Sequence, residues 1–290
     1  MEDYARHRTE IERELKDRIS KHRSRIQNRR RMRLLAISAG AQPLNLLAQG
    51  DSWFDFPLPV FIGSDVLVHL RSLPNGPAIL SLAHRGEAAE DLLGVHKLNR
   101  FVKALENQAQ NGVFDAILFS GGGNDLVGDQ FRIWLRNARD VQEDPDHGLN
   151  EERVEAALQL IRAAYEDLII ARNKVASEQG TRIPIFAHSY DFAIPSNVGV
   201  CNVEPWLWPG LNDRGWSAET GEKIVRNLLT RFSALLDIIS NNDPEFIHVK
   251  TQGSLMRTDW SDELHPTPEG FAKIAVEFSR ALAERFPGRI

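Results

Sequence analysis

Five short runs of strand-forming, mostly apolar residues are spaced along this chain with helical segments between them, and that alternation restricts its fold more than any other feature. The runs are LNLLAQG at 44–50, AILSLA at 78–83, FDAILFSGG at 114–122, IPIFAHSY at 183–190 and EFIHVK at 245–250. Each is nearly continuous in apolar character, as strands buried on both faces are, instead of alternating with polar residues. The intervening segments predict helices over 64–72, 88–110, 151–178, 217–240 and 267–286. Ser64, Ser217 and Thr267 stand as N-caps, Glu219 and Glu222 fall in the opening turns after Ser217, and Pro268 takes the first helical position of the last helix. That last helix sets Phe271, Ile274, Ala275 and Phe278 on one face. Parallel strands need long, right-handed crossovers, so the pattern predicts an α/β fold, a parallel sheet covered by helices on both sides in a three-layer α/β/α sandwich. At 290 residues and 42% hydrophobic content, one large domain over 34–290 is the economical organisation.

Two stretches break the rhythm. Residues 1–33 are dense in charge, with Ile11, Leu15, Ile19 and Ile26 at helical spacing, and predict an amphipathic helix with a thin apolar stripe. Such a stripe suits a solvated helix laid along the domain or against a second copy, as a homo-oligomer would use it. The basic end, Arg29-Arg30-Arg31 with Arg33, leaves room for an anionic partner without arguing for one. Residues 191–216 are rich in aromatics and proline without periodicity, and read as a long loop or lid beside the site. Trp206, Trp208 and Trp216 within it are either core of that lid or a wall for a ligand, and the sequence does not separate the two.

Composition removes several classes. With 35 Lys and Arg against 40 Asp and Glu the net charge is -5, which gives no basic face for a nucleic-acid partner. Cys201 is the only cysteine, so no intrachain disulfide forms, and with no cysteine-centred base arrangement it is read as inert. A cytoplasmic setting is the default expectation, because neither an apolar signal segment nor a run of about 18 apolar residues occurs. GGGNDLVG at 121–128 lacks the G-x-G-x-x-G spacing of a dinucleotide loop, and there is no Walker loop, G-x-S-x-G elbow or His-Glu-x-x-His.

Ligands of an open parallel sheet sit outside the carboxyl ends of its strands. There the first run ends in Gly50-Asp51-Ser52, the second leads into His84-Arg85-Gly86, the third ends in Gly122-Gly123-Asn124-Asp125, and SDELHPTPEG places Asp262 and His265 just before the last helix. A serine hydroxyl becomes a nucleophile when an imidazole takes its proton, and the imidazole works best when a carboxylate fixes its tautomer. Ser52, His265 and Asp262 supply those groups. The backbone N–H groups of Ser52 and Gly86 and the side-chain amide of Asn124 are candidates to hold a developing oxyanion. Asp125 reads as a turn former, and His84 and His188 as hydrogen-bonded structural histidines.

These four stretches, in this order, resemble the blocks of the SGNH (GDSL-type) hydrolases over 44–286. The resemblance implies Ser52 as nucleophile, Gly86 and Asn124 as oxyanion donors, His265 as general base, Asp262 as its orienter, a five-stranded flavodoxin-like sheet, and neither metal nor organic cofactor. It departs after Ser52, where Trp53, Phe54 and Phe56 precede Pro57 and Pro59; those prolines delay the next helix to about Ser64, and the extra loop adds a wall to the pocket. The expected activity is hydrolysis of a small-molecule carboxylic ester, such as a short-chain acyl ester or an acetylated sugar, through an acyl-enzyme, with Trp53, Trp206 and Trp208 on the substrate side. The alternative is a non-catalytic binding module on the same fold. Phosphodiester hydrolysis is disfavoured because clustered metal ligands are missing.

Overall fold

The five apolar runs become five parallel strands of one sheet: β1 (Asn45–Gly50), β2 (Ala78–Ser81), β3 (Ala116–Ser120), β4 (Ile185–His188) and β5 (Phe246–Val249), in the order β2-β1-β3-β4-β5. The computed structural model describes residues 2–34, 42–56, 65–86, 89, 94–128, 130–199 and 205–290, with side chains from Thr9 onward. All six residues of β1 and all five of β3 are buried, which is why these runs carry no polar alternation. Leu46 pairs with Ala116 and Gly50 with Ser120, so β1 and β3 end side by side. The strand order reverses between them, and a crevice opens there in sheets of this topology.

Helices cover both faces. On one, α2 (Val66–Arg71) packs against α10 (Pro268–Arg285), the C-terminal helix; on the other, α3 (Val95–Glu106), α7 (Glu151–Gln179) and α9 (Ala218–Asn242) lie side by side. The remaining helices are short: α4 (Gln108–Asn111), α5 (Gly123–Val127), α6 (Phe131–Trp134) and α8 (Trp208–Asp213). Ser217 and Thr267 cap their helices as the sequence predicts, accepting from Thr220 N and Gly270 N. The cap of α2 is Asp65, whose carboxylate accepts from Val68 N at 2.8 Å, in place of Ser64, which lies outside the described residues along with Pro57 and Pro59. The single helix predicted over 88–110 is divided at Asn107, whose side chain caps α4 through Gln110 N; its residues 88 and 90–93, and Cys201, also lie outside the described residues.

The charged N-terminal segment is one helix, α1 (Glu2–Leu34), which lies beside strand β2; its apolar stripe faces this domain, with Leu15 and Ile26 buried, Ile26 next to Gly112. His22, buried on the same face, reaches the Asn111 carbonyl through Nε2 at 3.1 Å. Two of the four arginines at its basic end are committed to carbonyl oxygens: Arg29 donates to Pro43 and Leu44, Arg30 to Gln108 and Ala109. Nearer the centre of α1, Arg18 bridges the Ala83 carbonyl and the Asp55 carboxylate, three residues beyond Ser52. No described helix is long and apolar enough to cross a membrane.

Candidate active site

The turn after β1 is built around two constraints. A Cβ on Gly50 would lie 2.7 Å from the Ser120 carbonyl oxygen, so only glycine lets β1 close on β3 here. The chain then reverses at once, with Phe54 N donating to the Asp51 carbonyl and Asp55 N to that of Ser52, which leaves Ser52 at the crest. Among the described residues the Ser52 N–H meets no acceptor. Asp51 points the other way, into the core, where its Oδ1 accepts from Trp53 N at 3.0 Å and Ser120 Oγ at 2.7 Å and its Oδ2 from Tyr190 Oη at 2.5 Å. Burial raises the Asp51 pKa against these bonds, and it carries the Tyr190 phenol well above its ordinary value. Tyr190 N donates to His188 Nδ1, so the His188 Nε2–H donates to Ser120 Oγ at 2.9 Å; burial lowers this imidazole to about 3 and keeps it neutral. Every hydroxyl and N–H of the group thus runs toward Asp51, and His188 is the structural histidine its sequence position suggested.

The spacing Asp262-x-x-His265 has an equally local cause. The Asp262 Oδ1 accepts the backbone N–H groups of Leu264 (2.7 Å) and His265 (2.9 Å), forming a tight turn that presents the imidazole of the third residue to the same carboxylate. His265 Nδ1 lies 3.0 Å from both oxygens of Asp262, which fixes the tautomer with Nδ1–H donating and Nε2 free to accept. Nε2 stands 2.8 Å from Ser52 Oγ, a residue 213 positions away in sequence. The turn is clamped at both ends: Ser261 N donates to the His265 carbonyl, Thr267 N to that of Asp259, and the Trp53 indole Nε1–H reaches the Leu264 carbonyl at 3.2 Å. Ser52, Asp262 and His265 are all buried, with His265 8% exposed, and the imidazole is flanked by the rings of Phe56 at 4.8 Å and Trp206 at 5.5 Å.

These groups meet at a small cavity of about 20 Å³ whose lining includes Ser52, Asn124 and His265, with Trp53, Tyr190 and Trp260 around them. Asn124 reaches it from the first turn of α5, which starts from Gly122 at φ +101°, a left-handed conformation that favours glycine. Asp125 turns aside and its Oδ2 accepts from Ala89 N, a structural bond. Gly86 lies exposed in the turn beyond β2, and Gly86 and the half-buried Trp206 and Trp208 all fall outside the cavity lining. Trp53 is buried in an aromatic cluster with Tyr190 and Phe271, so it forms floor more than face. Trp216 is core, with its Nε1–H on the Arg136 carbonyl.

One group sequence reasoning passed over is Glu263, between the two residues it singled out. Its side chain is fully buried and accepts four backbone N–H groups, from Ser196, Asn197, Leu207 and Trp208, at 2.6 to 3.1 Å. Both arms of the 191–216 segment are therefore fastened to the turn that carries His265. The segment is also not structureless, since it contains α8, which opens on Trp208-Pro209.

No protein-family model matches the chain, and no curated protein matches it. Among solved structures it is similar to an acetylxylan esterase from Geobacillus stearothermophilus, with 14% identity over 83% of this chain and 94% of that one and a TM-score of 0.48. It is similar as well to a lipase from a goat rumen metagenome, with 14% identity, 82% and 97% of the two chains covered and a TM-score of 0.48. A third is an extracellular lipase from Streptomyces rimosus, with 15% identity, 81% and 98% covered and a TM-score of 0.45.

Proposed function

We propose that this protein is a serine-dependent hydrolase of small-molecule carboxylic esters. The observation that carries the reading is the continuous relay from Ser52 Oγ to His265 Nε2 at 2.8 Å and from His265 Nδ1 to Asp262 at 3.0 Å. His265 takes the Ser52 proton as Oγ attacks the ester carbonyl; Asp262 holds the tautomer and balances the imidazolium. The tetrahedral oxyanion is received by the unengaged Ser52 N–H and the Asn124 amide, each worth roughly 10²- to 10³-fold in rate. The protonated imidazole then donates to the leaving alkoxide, and water activated by the same nitrogen releases the acid from Ser52. Trp206, beside the imidazole, and Trp208 after it form the leaving-group side, where an alcohol or a sugar ring would rest, and the 191–216 segment serves as the lid.

Turnover of p-nitrophenyl acetate by wild type and by Ser52→Ala tests the reading. A loss of at least about 10³-fold is expected, together with a single organophosphonate adduct on Ser52 in the wild type. Equal rates in the two proteins would defeat the mechanism and favour a non-catalytic binding module on this fold.

A further inference from the structure

The cavity beside Ser52 is much smaller than the clefts elsewhere on the molecule. Two roomier ones, of about 600 and 540 Å³, run along α1 and contain none of Ser52, Asn124 or His265. The cavity at the site holds about 20 Å³, and a space of roughly 10 to 15 Å³ is needed for a single water molecule. It therefore accommodates one group of about that size next to the Ser52 hydroxyl. Its apolar lining includes Val127 from α5, Ala193 from the 191–216 segment and Leu229 from α9, all buried, with Leu229 only 1% exposed. Val127 and Leu229 sit on helices and Ala193 on the segment fastened by Glu263, so the lining yields little.

Its chemistry is equally restrictive. Apart from His265, no cationic side chain lines it among the described residues. Its two carboxylates are both occupied, Asp51 by Trp53 N, Ser120 Oγ and Tyr190 Oη, and Asp191 by the backbone N–H groups of Phe192, Gly253 and Leu255. The back of the cavity thus offers no partner to a charged or hydroxylated acyl chain.

We propose that Val127, Ala193 and Leu229 form an acyl pocket that takes the methyl group of an acetyl ester and turns away acyl groups of butyryl length or longer. The proposal rests on the reading of Ser52 as nucleophile. With the carbonyl carbon at Oγ and the carbonyl oxygen toward Asn124, only the acyl substituent is left to enter the cavity, and a methyl fills it. Each further methylene must displace packed side chains, and a single methylene in such pockets changes kcat/KM by roughly 10- to 200-fold.

The test is kcat/KM on p-nitrophenyl acetate, butyrate and hexanoate for wild type, Leu229→Ala and, as a milder truncation, Val127→Ala. In the wild type acetate is expected to exceed butyrate by at least about 30-fold, and in at least one variant the ratio should fall by about 10-fold or more through a gain on butyrate. Wild-type rates that are flat from acetate to hexanoate, in a protein silenced by Ser52→Ala, would overturn the pocket and leave the nucleophile standing. A strong acetate preference that neither folded variant relaxes would overturn the assignment of these residues. Absence of turnover on all three esters would remove both proposals together.

Discussion

Glu263 is the residue whose removal should be felt furthest from its own position. Its carboxylate is fully buried and forms no ion pair among the described residues; the backbone N–H groups of Ser196, Asn197, Leu207 and Trp208 hold it. An unsatisfied buried donor costs about 1 to 3 kcal/mol, so four of them set a ceiling near 12 kcal/mol for Glu263→Ala. The 191–216 segment would relax and admit water long before that ceiling, and the expected loss is about 4 kcal/mol, at the upper end for a point substitution. In a domain of this size that corresponds to a fall in Tm of roughly 8 to 16 °C. Glu263→Gln keeps one acceptor oxygen but turns an amide N–H₂ toward at least one of the four donors, and should lose about half as much. Thermal unfolding gives the size of the effect, and native-state hydrogen exchange gives its place. In wild type these four amides should be protected, and in Glu263→Ala they should exchange at least about 100-fold faster while amides of β1 and β3 change only with global stability. If the four exchange equally fast in both proteins, or if Tm moves by less than about 2 °C, Glu263 does not fasten the segment and the reasoning fails.

Two further outcomes follow from groups outside the Ser52–His265–Asp262 relay. His22 is buried between α1 and the domain, with its ring stacked 5.8 Å from Phe114, and burial lowers its pKa to about 4 from an ordinary 6.5. The unfolded chain takes up a proton that the folded one refuses, so the stability tied to the neutral ring is complete above about pH 6.5 and is lost as pH falls toward 4, by up to about 3 kcal/mol. His22→Phe should flatten that part of the Tm profile, and an unchanged profile would refute the assignment. Gly122→Ala combines a φ of +101° with a new Cβ 2.9 Å from the Phe232 ring and 3.2 Å from Ile161; a loss of about 3 kcal/mol or more is expected in thermal unfolding, and a wild-type Tm would contradict the geometry.

Much of this was legible in the sequence because burial on both faces leaves an unbroken apolar signature. The runs at 44–50 and 114–122 contain β1 and β3 with at most a few residues to spare, and the residues at their exits, Ser52 and Asn124, fall at the cavity because parallel strands all discharge at one edge. What stayed hidden has a physical reason in each case. Glu263 sits in an acidic, polar stretch and reads as solvated, since the donors that bury it lie 55 to 67 residues upstream. Tyr190, two residues past β4, and Leu229, on α9, read as ordinary apolar positions, and only the pairing of β4 beside β3 and the packing of α9 on β4 and β5 bring them to the cavity. The helix α8 spans six residues, too few for any period to show. Gly86, chosen for its position after the second strand, is the member of the set that stands apart from the lining.

The 213 positions between Ser52 and His265 also bear on how the protein comes into being. A ribosome releases the alcohol well before the imidazole, and the turn at Asp262 leads into α10, which packs against α2. Until alcohol and imidazole meet, the hydroxyl proposed as nucleophile has no general base beside it, so on the proposed reading a chain that has not yet folded this far could not attack an ester.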